Sequence, residues 1–463
     1  MGNRYLIVSD LHLSDVEDHD DGWKAHKSSR YTFDASFSEL LDRFMREEAN
    51  GRFVLVLNGD IFDFDLVTAV PDKPEWPVRF SERRRGLDAT AGKSAWKLQR
   101  ILDHHPVFLD ALARFVGLGH DVVYVLGNHD RELHFDEVRR VLEDALAERV
   151  RAQGGEPEGD FIRFEPWFYA VPGEVYVEHG QQYDLYSSFR YLFSPVVRSK
   201  GREMIALPMG NLSNRYLMSR MGFFNPHSSD YILNVFRYLK HWLTCYAFTR
   251  RSLVLNWFWG SLVVIGKLLA NKRRLQRENP RLQEHLREQA ERHGLRPGVI
   301  EALVRLQAPP ITSRFFRIIR EFWIDRVLIA LVMTGGTVTL ALVSIPLWIK
   351  LMVPLTAFPL LYLIYEWAVR GETIFAIEKR LPQVARKIAG LVPVQVVTFG
   401  HTHVPRLIPL ARDLCFVDTG TWAPITRHDS PGILSPGYRN YLQVSFEEDR
   451  SRIDFGSWME KEP

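Results

Sequence analysis

Two cysteines in 463 residues, Cys245 and Cys415, are too few and too far apart to frame a fold. They rule out a disulfide scaffold and have no metal-like partner spacing, which fits a reducing compartment. Charge of one sign is also lacking. Lys and Arg total 59 against 56 Asp and Glu, so the net charge of +3 gives no electrostatic case for nucleic acid. The chain shows no internal repeat and no low-complexity tract. No signal peptide is expected, because the first strand, Tyr5–Val8, starts almost at once and leads into Asp10.

Long stretches of the middle of the chain lack charge altogether. Val327–Ile349 runs 23 residues without a charged side chain, and Leu351–Tyr365 adds 15 more after Lys350. A helix needs about 17–25 apolar residues to span a bilayer, so the first run is long enough and the second is short. Ser252–Gly266 is also uncharged, lies between Arg251 and Lys267, and reads as interfacial or buried. Aromatics are abundant, with 12 Trp and 29 Phe, and much of this excess lies in the same region.

The two ends of the chain read differently. Tyr5–Ser9, Phe53–Asn58 and Val122–Leu126 are apolar, β-branched runs, as in strands covered on both faces. Helical patterns such as Phe37–Glu48 and Val107–Val116 lie between them, which makes a βαβαβ opening of an α/β sheet. Trp167–Val171 and Val175–Glu178 flank Pro172-Gly173 as a hairpin. Val394–Phe399, Leu414–Asp418 and Tyr441–Phe446 resume the strand pattern. The expected organisation is a core of residues 1–184 and 391–463, interrupted by a mainly helical, partly membrane-like insertion at 185–390.

Five short motifs follow strand-like runs, in one order. They are Asp10-Leu11-His12, Gly59-Asp60-Ile61-Phe62-Asp63, Gly127-Asn128-His129-Asp130, Glu178-His179-Gly180 and Gly400-His401-Thr402-His403. Loops past strand carboxyl ends are where α/β sheets bind ligands. Asp10 and His12, two residues apart, can turn toward one ion. Asp60 follows a glycine and is a natural bridge between two ions, and Asn128 offers an uncharged oxygen. His179, His401 and His403 offer nitrogen. The mixed nitrogen and oxygen set suits Mn first, with Fe, Co or Zn also fitting, better than Ca or Mg. Such paired cations serve phosphate-ester chemistry.

Together the five motifs resemble the calcineurin-like metallophosphoesterase superfamily, over the two core segments and not over residues 185–390. The resemblance implies an α/β fold of two stacked mixed β-sheets flanked by helices, a four-layer core, here with a large helical insertion. It implies one metal on Asp10, His12, Asp60 and His403, and a second on Asp60, Asn128, His179 and His401. His129 takes the place of the family's catalytic histidine beside the metals. Asp63 and Asp130 are expected to orient these ligands, or else to be carboxylates at helix N-termini. The Ser9-Asp10-Leu11-His12-Leu13 opening also resembles the UDP-2,3-diacylglucosamine hydrolases, which usually carry Arg where His129 stands.

The insertion begins after His179 and ends before His401, so any membrane crossings are even in number. Arg314, Arg317, Arg320 and Arg326 precede the apolar pair of runs and Arg370, Lys379 and Arg380 follow it, with Lys350 alone at the expected tip. That distribution puts the enzyme on the cytoplasmic side of a membrane, on a two-pass or re-entrant hairpin. The expectation is a metal-dependent phosphoesterase acting on a phosphate ester or pyrophosphate, with a lipid-linked substrate and no nucleic-acid partner. The alternatives are a soluble phosphomonoesterase or nucleotide phosphodiesterase whose insertion is a self-packed cap or dimer interface, and a non-catalytic membrane adaptor. His104-His105 reads as a solvated helix end, Arg83-Arg84-Arg85 as an exposed run, and Asp418–Trp422 as a structural turn near the metals. Gln181, Gln182, Tyr183 and Asp184 continue the His179 loop and could line the site.

Overall fold

The computed structural model describes residues 3–47, 52–157, 159–199, 201–227, 240, 242–247, 251, 253–313, except 276–281, and then 315–369, 376–426, 434–447 and 450–458. Glu48, Ser252, Arg314 and Arg370, used above, lie outside them.

The chain runs β1 (Arg4–Val8), α1 (Asp34–Glu47), β2 (Phe53–Asn58), α2 (Phe80–Arg85), α3 (Ala91–His104), α4 (Pro106–Gly117), β3 (Asp121–Val125), α5 (Asp136–Ala152), β4 (Ile162–Glu165), β5 (Phe168–Val171) and β6 (Val175–Glu178). A hairpin, β7 (Val196–Ser199) and β8 (Arg202–Ile205), and a short helix, α6 (Met209–Tyr216), follow. The helical stretch is α7 (Leu253–Leu275), α8 (Leu282–Arg292), α9 (Pro297–Leu306), α10 (Phe315–Glu321), α11 (Ile324–Leu342), α12 (Leu347–Met352), α13 (Phe358–Ala368) and α14 (Ala376–Leu391). The chain closes with β9 (Val396–Phe399), β10 (Arg406–Ala411), β11 (Leu414–Asp418), β12 (Ile425–Thr426), β13 (Leu434–Ser435), β14 (Asn440–Glu447) and β15 (Arg450–Ser457).

Two mixed sheets carry the fold, in the orders β15-β14-β1-β2-β3-β4 and β10-β11-β9-β6-β5. Parallel pairing joins β1 through β4, and antiparallel β14 and β15 close the edge. Each sheet therefore takes strands from both ends of the chain. Alternation explains the strand composition. Tyr5, Ile7, Val56, Val123 and Val125 point between the sheets, where they meet Val175, Val177, Val396 and Val417. Leu6, Val8, Leu55, Leu57 and Tyr124 point outward under α1, α3, α4 and α5. Tyr176, Val397, Phe399 and Phe416 point the opposite way, under α8, α9 and α14. Both faces of each central strand are covered, so the runs are apolar throughout rather than alternating.

α6 and α7 build a separate apolar cluster with Phe189, Leu207, Met221, Phe224 and Ile318. Leu253, Ser261, Val264, Leu268 and Asn271 form the buried face of α7, while Val254, Leu255, Phe258, Trp259 and Leu262 are exposed. The uncharged run at 252–266 thus lengthens into a 23-residue helix with one packed side, of which Leu253–Arg274 is, unlike the short run expected, long and apolar enough to cross a membrane.

The apolar pair of runs does form a helical hairpin, but its register differs from the charge-based reading. α11 ends at Leu342, and Pro346, which has no amide hydrogen to donate, caps the restart at Leu347. The tip is therefore Val343–Pro346. Lys350 lies in the second leg and its Nζ donates to the Ala341 carbonyl, 2.9 Å away. The second leg becomes 22 residues, Leu347–Ala368, instead of a short run, and both legs are long and apolar enough to cross a membrane. Arg326 on the first leg pairs with Glu366 on the second at 2.7 Å, which fixes the legs antiparallel. No residue of α11, α12 or α13 is buried.

Candidate metal centre

Each expected ligand sits just past a strand end. β1 delivers Asp10 and His12, β2 delivers Asp60, β3 delivers Asn128 and His129, β6 delivers His179, and β9 delivers His401 and His403. The turns that present them are conformationally unusual. Among the described residues, eight non-glycine residues have positive φ, and five of these are Asp10, His12, Asp60, His401 and His403. That conformation disfavours any residue with a Cβ and is tolerated where the surroundings enforce it. Gly59 is required for a second reason, since a Cβ there would lie 2.6 Å from the His179 ring.

The side chains converge. Asp10, His12 and His403 offer donor atoms within 4.8 Å of one another, and so do Asp60, His179 and His401. The two groups are linked. His179 Nε2 lies 3.0 Å from Asp60 Oδ2 and 4.0 Å from Asp10 Oδ1, and His12 Nε2 lies 3.9 Å from Asp60 Oδ2. The rings of His179 and His401 are 5.4 Å apart. Asn128 comes from the loop after β3, and its Oδ1 is buried with no hydrogen-bond partner.

Hydrogen bonding at the far side of each imidazole fixes what faces inward. His12 Nδ1 is 3.1 Å from Asp63 Oδ2, His179 Nδ1 is 2.9 Å from the Asn58 carbonyl, and His403 Nδ1 is 2.9 Å from the His227 carbonyl. Each acceptor calls for an N–H at Nδ1, which leaves a lone pair at Nε2. Those lone pairs point at carboxylates and at each other: His12 Nε2 and His403 Nε2 are 3.0 Å apart, and His403 Nε2 is 3.2 Å from Asp10 Oδ1. A buried cluster of acceptors facing acceptors is repulsive unless positive charge lies among them, as metal ions or as protons on the rings; burial opposes such protonation of His12 and His179, but the neighbouring carboxylates favour it. The residues present therefore fit divalent metals, with outward partners of the kind that orient metal-bound histidines.

Asp63 and Asp130 take different parts. Asp63 Oδ2 accepts from His12 and lies 3.2 Å from His129 Nδ1, while its Oδ1 accepts the amides of Asp65 and Leu66. Burial opposes its charge, but His129 and His12 outweigh burial and hold this carboxyl well below the usual range. Among the described residues the Asp130 carboxylate makes no hydrogen bond or ion pair with a histidine. It accepts from the Gly127 and Ile61 amides and the Tyr124 hydroxyl, tying two ligand loops together. Burial, then the nearby Asp60 charge, pushes its carboxyl up to about 7. His129 is buried, which opposes a charge, yet Asp63 and Asp60 hold its imidazole well above the usual histidine range.

Other residues at the centre come from distant sequence. Asn211 on α6 donates to the Asn128 carbonyl at 2.9 Å and to Asp65 Oδ2 at 2.6 Å. Asn214, one turn on, brings its Nδ2 to 3.4 Å from His129 Nε2. Arg215 is fully buried between Asp65 and Glu132. His227 lies against His12, with ring centroids 4.2 Å apart. None of these sits in a motif, and an asparagine or arginine on a short helix gives no signal in the sequence. Asp184 reaches His401 at 3.1 Å, whereas Gln181, Gln182 and Tyr183 turn away to neighbouring carbonyls, Gln307 and Glu178. The Asp418–Trp422 turn holds the back of Asp10: Thr421 Oγ1 and the Trp422 amide donate to its carbonyl. Arg83 and Arg84 are exposed, as expected, but Arg85 is half-buried and donates to the Tyr216 carbonyl. His105 is not solvated; it is buried between Asp34 and the Ser14 carbonyl, because α3 ends against the loop after β1.

Residues 4–220 match the calcineurin-like phosphoesterase family, a span that takes in four of the five motifs and α6. Over that span the chain is similar to the calcineurin-like phosphoesterases. No curated protein matches the chain. The phosphoesterase domain thus carries clusters of Asp and His of the kind this family uses in metal-dependent hydrolysis of phosphoester bonds.

Proposed function

We propose that the chain is a two-metal phosphoesterase working at the cytoplasmic face of a membrane, on a phosphate ester or pyrophosphate carried by a lipid. The observation that carries the reading is the buried set of acceptors facing acceptors: Nε2 of His12, His179 and His403 against Asp10 and Asp60. Two divalent cations held there, Mn by preference, would polarise the phosphoryl oxygens and make water acidic enough to attack. Asp10, His12, Asp60 and His403 would hold one, and Asp60, Asn128, His179 and His401 the other. Asp63, Asn58 and the His227 carbonyl keep the imidazoles turned for that purpose.

His129 is the catalytic residue in this reading. Its Nδ1 faces Asp63 and Asp65 at 3.2 and 3.3 Å, which leaves Nε2 to carry a proton to the leaving oxygen. The carboxylates favour the protonated ring, and neighbouring cations would pull its affinity back toward neutrality, where a general acid works best. Asn214 Nδ2 lies 3.4 Å from that Nε2, where it can donate to the ring once the proton has left. The membrane part of the reading is supported by the hairpin, whose two legs are apolar and without buried residues. Arg317, Arg320 and Arg326 before it and Lys379 and Arg380 after it mark the cytoplasmic side.

The test is a hydrolysis screen of Mn-loaded, detergent-purified protein. Lipid phosphates and lipid pyrophosphates in mixed micelles are compared with p-nitrophenyl phosphate and bis(p-nitrophenyl) phosphate. Chelator-sensitive release that favours the lipid esters is expected. Protein that binds two metals yet hydrolyses none of them would overturn the enzymatic reading, and equal turnover of soluble esters alone would overturn the lipid assignment.

A further inference from the structure

α6 has two sides. Asn211 and Asn214 face the metal centre, while Leu212, Arg215 and Tyr216 line a cavity behind it. This cavity, about 290 Å³, lies between α6, the end of β8 and the inner side of α7. It holds none of the metal-centre residues. Its size is near the lower end of the range for ligand pockets, about 300–1,000 Å³.

The lining is chemically divided. Arg79, Lys267 and Arg274 bring positive charge, and Asp88 is the carboxylate opposed to them. Asp88 is already occupied: it accepts from Lys267 and the Tyr216 hydroxyl, both at 2.8 Å. Arg79 is only 3.6 Å from it and half exposed, and Arg274 has no hydrogen bond or ion pair among the described residues. Arg215 adds a buried guanidinium whose Nη1 lacks a partner. The remaining wall is apolar, with Met204, Leu207 and Leu262. Leu262 also belongs to the exposed apolar face of α7, beside Phe258 and Trp259. The cavity therefore adjoins the surface that the membrane reading lays against a bilayer.

We propose that this cavity binds an anionic amphiphile. The phosphate of a membrane lipid lies between Arg79, Lys267 and Arg274, and the start of its hydrocarbon chain lies against Met204, Leu207 and Leu262. Excess cationic charge supplies the attraction to phosphate, and the apolar wall beside an exposed apolar helix face supplies the entry for the chain. The site is distinct from the metal centre and separated from it by α6. The assignment of the anion to a lipid rests on the membrane reading above.

The experiment uses the full Mn-loaded protein in non-ionic detergent and a short-chain fluorescent phosphatidic acid. The same chains on phosphatidylcholine and free inorganic phosphate serve as comparisons. Phosphatidic acid should bind at least tenfold tighter than either. R79A/R274A should lose that preference at unchanged metal content, and A270W, which fills the cavity from α7, should lose binding of both lipids. D60A should bind phosphatidic acid as the unaltered protein does. Binding lost in D60A but kept in R79A/R274A would place the lipid at the metal centre and overturn the proposal. So would equal binding of phosphatidylcholine, or inorganic phosphate that competes as well as the lipid. Flotation with neutral vesicles reads the hairpin separately: protein that floats without preferring phosphatidic acid refutes the cavity alone, and protein that prefers it without floating refutes the membrane reading alone.

Discussion

Five of the proposed ligands pay a backbone cost to be where they are. A residue held at positive φ costs on the order of 1–3 kcal/mol, and Asp10, His12, Asp60, His401 and His403 all adopt it. Packing alone does not explain five such residues converging on one buried cluster; the proposed ligation would. Asp60 faces both clusters, so Asp60→Ala should strip both metals and abolish hydrolysis, read by elemental analysis and turnover together. His129→Ala should keep the metals and lower turnover by about 10²–10⁴-fold. Full metal content in the first variant, or unaltered turnover in the second, would remove that residue from its role. A separate test lies one residue from the centre. Glu178 is buried beneath Trp167, Tyr176 and Tyr183, all donating to it, and burial still pushes its carboxyl up to about 7. The folded state therefore keeps a proton that the unfolded chain has released, and stability falls as pH rises from about 4.5 to about 7. The loss is roughly 3 kcal/mol at most, and Glu178→Gln should flatten that part of the stability profile in denaturant melts. A slope unchanged in the variant would refute the assignment. At this scale the motifs were legible because ligands and their turn glycines are adjacent in sequence. Asn211, Asn214, Asp65 and His227 were not legible, since only folding brings them near His129 and His12.

The element that decides the site's surroundings is α6, eight residues long and invisible as an amphipathic pattern because its inward face is polar. It joins the metal centre to α7. Gly260 on α7 allows the approach: a Cβ there would lie 2.8 Å from Leu217 Cδ1. Arg215 anchors α6 between Asp65 and Glu132, and replacing it with Met leaves two buried carboxylates without their cation. Arg215→Met should cost roughly 3–5 kcal/mol, measured by chemical denaturation. Asn214→Ala removes the amide that can donate to Nε2 of His129 after proton transfer, and should lower kcat about tenfold with metal content and KM unchanged. If KM alone rises, Asn214 touches substrate and does not position His129. Eight strands are legible to within a residue or two, since runs covered on both faces announce themselves, whereas β4, β7, β8, β10, β12, β13 and β15 are not read from the sequence. The hairpin register was misplaced for a definite reason. Charge was used to mark the tip, but Pro346 sets it, and Lys350 reaches back to the Ala341 carbonyl from within the second leg. Backbone chemistry outweighs a single lysine at a helical turn.

Across the whole molecule, the phosphoesterase domain is closed by strands from both ends of the chain, while the hairpin contributes no buried residue to any core. The hairpin also closes on itself at its base: Arg326 pairs with Glu366, Arg320 donates to the Val369 carbonyl, and Asp325 accepts from Tyr365. Residues 324 and 368 are thus brought near one another without help from the legs above them. Replacing 327–364 by a short Gly/Ser linker keeps those base contacts and should leave the metal centre intact, because none of its ligands or their partners lies in that span. The shortened protein should be released into the soluble fraction, bind metals as before, and hydrolyse a soluble phosphate ester at the parent rate. The parent protein should stay with membranes through high salt and alkaline carbonate, because hydrocarbon burial is insensitive to charge screening. Labelling of single cysteines should reach residues 317–320 and 379–380 from the cytoplasmic side only, and Ser344 at the tip only from the far side. A tip reached from the cytoplasmic side would make the hairpin re-entrant, with both ends and the enzyme on the same face. A parent protein that is soluble and monodisperse without detergent would instead mean that the exposed legs are covered by another protein surface. Loss of metal binding on removal of the hairpin would show that the legs support the catalytic domain, against the separation seen in its packing.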